Sequence, residues 1–152
     1  MPEAWRIVKR KHASTAFSGE GAARTGGRWN SRGVAVVYAS STRSLAALEN
    51  LVHLNPPLQF HYLLFRIEFP AALIEHFPQN ALPRNWRMEP PPPSAQKIGD
   101  AWVREARSSV LALPSVIVSG EPNYLLNPAH PDFKKITMGK PEKFSFDPRL
   151  LI

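Results

Sequence analysis

Residues 26–50 read GGRWNSRGVAVVYASSTRSLAALEN, and the plan of the chain follows from how this stretch folds. The run 33–39 is apolar, β-branched and bounded by glycine and serines, which predicts a short strand. Ser40, Ser41 and Thr42 then offer N-cap oxygens for a helix over about 43–54, although no glutamate completes a capping box. Before the strand, Gly26 and Gly27 give the backbone room for a tight turn that carries Arg28. Turn, strand and helix thus hold one polar candidate each: Arg28, Tyr38 and Glu49.

Outward from this stretch, residues 5–10 (WRIVKR) read as an opening strand with Trp5, Ile7 and Lys9 on one side. The small residues of 16–30 suggest a surface loop. Residues 60–69 (FHYLLFRIEF) give the strongest strand signal, after Asn55-Pro56-Pro57 has stopped the helix. A helical turn is expected over 71–76. Residues 78–96 read as an exposed excursion with a polyproline piece at 90–93. A short helix at 98–105 points Trp102 inward, and a strand at 109–118 carries Pro114 at an edge or bulge. The segment 123–133 reads as compact and turn-rich, and FSFDPRLL closes the chain as a last strand.

With 152 residues, no repeat and no linker, the chain fits one loop-rich α+β domain spanning 1–152, and its sixteen prolines argue against a helical bundle. Hydrophobic residues at 43% and charged residues at 20% are ordinary for a globular protein. The absence of cysteine excludes disulfides and thiolate metal sites and suits the cytoplasm. No run is long and apolar enough for a signal peptide or a membrane span. The net charge of +7 is uneven: residues 1–43 hold eight Lys/Arg against two Glu, the remainder eleven against ten. Apart from Lys9-Arg10-Lys11 the cations are scattered singly, so a phosphate-bearing ligand or an acidic partner fits better than DNA or RNA.

Each candidate has a bland alternative. Glu49 borders the helical stripe Leu45, Leu48, Val52, where a carboxylate needs a partner or a task; a boundary glutamate paired with an arginine satisfies position equally well. Tyr38 shares strand parity with Val34 and Val36, and core packing explains an isolated tyrosine. Arg28 after two glycines suits bidentate contact with phosphate or ribose oxygens, yet a solvated turn arginine looks the same. Ser115 follows Leu111 and Leu113 on one face, so its hydroxyl needs a hydrogen-bond partner; it is not in a nucleophile elbow. Asn123 and Asn127 suit turn stabilisation. The five histidines show no metal-ligand spacing, and no metal is expected.

Four pieces in order, GGRWNSRGVAVVYASSTRSLAALENLVH, GDAW, LALPSVIVSGEPNYLLNPAHPDF and FSFDPRLL, cover most of the chain and together resemble the RES domain family. The proline-rich 78–96 stretch departs from the pattern without touching a candidate residue. The resemblance implies an α+β fold similar to diphtheria-toxin-class ADP-ribosyltransferases, a split β-sandwich around an NAD cleft. It implies a toxin of a bacterial toxin–antitoxin pair, with an Xre-type helix-turn-helix antitoxin as partner and DNA met only through that antitoxin. The implied reaction is NAD+ cleavage at the nicotinamide–ribose bond by hydrolysis or phosphorolysis, NAD+ being substrate and no cofactor being required. Carried over by position, Glu49, Arg28 and Ser115 are the catalytic candidates, and Arg28, Tyr38, Ser115 and Asn127 the NAD-binding ones. Protein ADP-ribosylation in the same cleft is the nearest alternative, and a non-catalytic nucleic-acid module a more distant one. Homo-oligomerisation is left open.

Overall fold

The computed structural model describes residues 1–53 and 61–150. Among the described residues, eight strands form one mixed sheet: β1 (Glu3–Lys9), β2 (Val37–Ser40), β3 (Tyr62–Glu68), β4 (Ile74–His76), β5 (Val110–Pro114), β6 (Pro122–Leu126), β7 (Thr137–Met138) and β8 (Glu142–Phe144). Their order is β4-β5-β6-β2-β1-β3-β7, with β8 also on β3. All pairings are antiparallel except β4 with β5. β1 and β3 pair along seven residues, whereas β1 meets β2 only at Trp5↔Ser40. The sheet therefore parts between β1 and β2, and that parting opens the site described below. With three short α-helices among the described residues, α1 (Glu20–Thr25), α2 (Arg43–Leu51) and α3 (Pro93–Arg104), this is the expected α+β architecture.

Alternation along the strands sorts the core into two faces. On one face, Ala4, Val37, Ala39, Ile67, Phe69, Val110 and Leu126 draw both halves of the sheet into a shared cluster. On the other, α3 buries Ala95 and Trp102 against Leu111, Leu113 and Leu125, while α2 packs Ala46 against Trp5 and Ile7. Both helices lie on the same side of the sheet with the parted strands between them. Thr42 caps α2 by accepting from the Leu45 amide at 3.0 Å.

Several expectations need correction. The 16–30 loop contains α1, which Gly26 ends with a φ of 70°. The strand predicted at 33–39 is confined to Val37–Ser40, because the Val34 carbonyl turns to accept from Asn30. Residues 71–76 form a 3-10 turn followed by β4, an edge strand beside β5. The strand expected through 118 stops at Pro114, where Ser115 takes the Ile117 and Val118 amides and turns the chain. The turn-rich segment after Glu121 holds β6, a central strand. The last strand is Glu142–Phe144, ahead of FSFDPRLL's turn at 148–150. The helix stop at Asn55-Pro56-Pro57 and the first residue of the 60–69 run lie outside the described residues.

The 78–96 stretch is largely exposed over 78–90, as expected, but it is anchored on the molecule as a wall. Phe77, Leu82 and Trp86 pack on the α3 core, and Trp86 stacks on Trp29 with ring centroids 5.8 Å apart. Pro93 opens α3 within its first turn, where the missing N–H is harmless.

Candidate functional site

Glu49 lies one turn after Leu45 and Ala46, the buried positions of α2, so its carboxylate points toward the parting in the sheet. Its Oε2 accepts from the Ser115 hydroxyl at 2.8 Å and from the Asn123 amide at 2.5 Å. Asn123 in turn accepts on its carbonyl oxygen from Ser40 Oγ at 2.7 Å, which fixes the amide's orientation. Ser115 Oγ accepts the Ile117 and Val118 amides at 3.0 and 3.1 Å, so its one proton is committed to Glu49. Three elements thus hold a carboxylate by one oxygen. The other oxygen, Oε1, makes no hydrogen bond among the described residues.

Above this carboxylate is a cavity of about 780 Å3, lined by Glu49, Tyr38, Arg28, Arg6, Ser40 and Asn123 among others. That volume is in the range of small-molecule sites. Tyr38 presents its ring to the cavity and turns its hydroxyl inward, donating to Asn30 Oδ1 at 2.6 Å and accepting from the Trp29 amide at 3.0 Å. Burial pushes the phenol well above its ordinary value of 10.0, so Tyr38 stays protonated and is no base.

The turn carrying Arg28 is held on every side. Fully buried Asn30 donates to the Ala22 and Val34 carbonyls at 2.9 and 3.0 Å. A Cβ on Gly27 would stand 2.6 Å from the Tyr38 hydroxyl, so glycine is needed there for close approach. From α3, Gln96 donates to the Gly27 carbonyl at 3.0 Å, and Asp100 accepts from the Ser31 amide and hydroxyl. Arg28 itself donates to the Trp86 and Met88 carbonyls, both at 2.8 Å, and pairs with Glu89 at 2.5 Å.

Arg28, Tyr38 and Glu49 therefore border one cavity. Ser115 is buried behind it and reaches it only through Glu49. Asn127 is not brought to it: the residue sits at the opposite end of β6 from Asn123, and its Oδ1 accepts from the Ala129 amide at 3.0 Å to shape a turn. Asn123 and Arg6 were not foreseen as cavity residues. Asn123 holds Glu49. Arg6 bridges the parted strands, donating to the Ala16 and Tyr38 carbonyls, both at 2.8 Å, with no carboxylate partner among the described residues. Burial pulls its guanidinium down to about 10, which leaves it cationic at neutral pH. The available signal was its parity with buried Ala4 and Val8 on β1. Among the described residues, no cluster of His, Asp and Glu is arranged to hold a metal, and no helix is long and apolar enough to cross a membrane.

Replacing Tyr38 by Phe should strand the Trp29 amide and Asn30 Oδ1, lowering unfolding free energy by about 1–3 kcal/mol in urea titrations. The sign with pH follows from the raised phenol pKa. The unfolded chain sheds its tyrosine proton near 10 while the folded chain keeps it, so stability falls as pH rises past 10. Tyr38→Phe should make that alkaline slope shallower.

The cavity lies between a parted sheet and two helices and is lined by two carboxylates, Glu49 and Glu89, an aromatic wall and two arginines. The RES domain model matches residues 3–147, and the chain belongs to that family. It is 43% identical over 153 residues to the Prs ADP-ribosylating toxin of Sphingobium sp. (strain YBL2), covering 97% of this chain and 95% of the relative. It is 39% identical over 148 residues to Toxin Res of Yersinia enterocolitica, covering 96% and 97%. A chain of the crystal structure of the M. tuberculosis MbcT–MbcA toxin–antitoxin complex superposes with a TM-score of 0.76 at 17% identity, covering 94% of this chain and 84% of that one. That likeness concerns the fold.

Proposed function

We propose that the chain is the toxin of a toxin–antitoxin pair and acts in the cytoplasm by cleaving the nicotinamide–ribose bond of NAD+. The observation that carries this reading is the Glu49 carboxylate, held by Ser115 and Asn123 through one oxygen with the other left for a ligand. The glycosidic bond breaks with its electron pair moving to the pyridinium nitrogen, so nicotinamide leaves neutral and needs no general acid. Positive charge develops on the ribose, as in glycoside cleavage. Glu49 stabilises that charge at close range. Tyr38 supplies a face for the nicotinamide ring, and Arg28 and Arg6 supply cations for the diphosphate.

Asn123 acts through Glu49 as a positioning residue. Asn123→Ala removes one of two donors to the carboxylate, and kcat should fall about 10–100-fold through misplacement. KM for NAD+ should change far less. A shared change in both parameters would count against the positioning role.

Transfer of ADP-ribose to a protein is the second reading, favoured by the name of the Sphingobium relative and served by the same cavity. Incubation with NAD+ labelled in the adenylate portion, with and without cell lysate, separates the outcomes. Free ADP-ribose or its phosphate means cleavage, and labelled protein means transfer. Intact NAD+ in every case would overturn both. The partner implied by the relatives is an antitoxin, and a basic first third suits one that places an acidic segment over the cavity. Antitoxin affinity should then fall as NAD+ is raised.

A further inference from the structure

Arg28 meets the cavity with both terminal nitrogens of its guanidinium already engaged, and their partners differ in kind. The Trp86 and Met88 carbonyls orient the guanidinium without cancelling its charge. They are steadied by the stacking of Trp86 on Trp29. Glu89 does cancel the charge, through Nη2 at 2.5 Å. The Glu89 side chain is 70% exposed against 15% for Arg28, so the carboxylate keeps much of its hydration and is held weakly. Glu89 also lines the cavity, as does Pro91. An anion approaching Arg28 from the cavity therefore meets a carboxylate of the chain itself.

The geometry points to Glu89 as a built-in competitor for the anion position at Arg28, one that sets how tightly the site takes a diphosphate ligand. The inference rests on the NAD+ reading for the identity of that ligand and deepens it. A phosphate oxygen and the Glu89 carboxylate cannot both occupy the Nη2 edge, because like charges at that range repel. Binding then requires Glu89 to turn out toward solvent, which its exposure permits. The two carbonyls keep Arg28 in place when it does. Arg6 has no carboxylate partner among the described residues, so the competition falls on Arg28 alone.

Glu89→Gln is close to isosteric and lies on an exposed turn. Calorimetric titration of ADP-ribose, and separately of inorganic pyrophosphate, should give binding about three- to five-fold tighter in the variant than in the parent, the gain expected on releasing an exposed ion pair. The gain should vanish in the Arg28→Ala background. Unchanged or weaker binding of both probes in Glu89→Gln overturns the inference, since Glu89 would then be neutral or an orienting partner of Arg28. ADP-ribose binding without any gain leaves the NAD+ reading standing and removes this one. A gain for pyrophosphate with no affinity for ADP-ribose and no loss of NAD+ does the reverse. No binding of either probe to either protein overturns both.

Discussion

Glu49→Gln should lower NAD+ consumption by at least roughly 100-fold while leaving the melting temperature within a few degrees of the parent. Loss of one preorganised charge that matches the developing ribose cation typically costs about 100- to 1,000-fold. Stability is preserved because the glutamine carbonyl oxygen still accepts from Ser115 and Asn123, the two donors that hold Oε2. What is lost is the charge, not the packing. Rates by chromatographic assay and a thermal melt on the same preparation check both halves. An unfolded variant would make Glu49 a structural residue, and a folded one with the parent rate would remove it from the chemistry.

Gly99→Ala should destabilise the fold by about 2–3 kcal/mol, even though alanine is the better helix former by about 1 kcal/mol. For a chain of this length, that corresponds to a fall of roughly 4–12 °C in melting temperature. The sign is decided by sterics. A Cβ on Gly99 would lie 1.9 Å from the Trp29 carbonyl oxygen and 3.1 Å from Leu125 Cδ1, and the nearer atom is backbone with little freedom to retreat. The Trp29 amide also donates to the Tyr38 hydroxyl, and the residue follows Arg28 directly. Moving it should weaken ligand affinity along with stability. A variant as stable as the parent with unaltered affinity would mean that the α3–turn contact is loose.

Much of the site was legible because its residues obey local rules. Thr42 caps α2, which sets the helix phase and turns Glu49 toward the inward stripe. Strand parity puts Tyr38 on the face that α3 covers. Ser115 needed a partner as a hydroxyl among leucines, and Glu49 supplies it. The misses share a cause: each depends on long-range pairing. Asn123 and Asn127 have the same parity on either side of YLL, so both face one side of β6. Only the register, with Asn123 against Ser40 and Leu126 against Val37, tells which end meets the cavity. β6 was hidden because its Pro and Asn residues resemble turn chemistry, although Pro122 opens the strand and Leu125 and Leu126 bury one on each face. The 78–96 stretch reads as a solvated crossing by composition. Its wall-forming role rests on Trp86, which packs against Trp29, 57 residues away in sequence.

The central claim is that the parted sheet holds a dinucleotide between Arg28, Tyr38 and Glu49. A crystal structure of the Glu49→Gln protein with intact NAD+ tests it most directly. The nicotinamide ring should lie on Tyr38 with the ribose beside residue 49, and the diphosphate should reach Arg28 with Glu89 turned outward. NAD+ bound elsewhere on the chain, or a cavity that stays empty at saturating NAD+, would contradict the account.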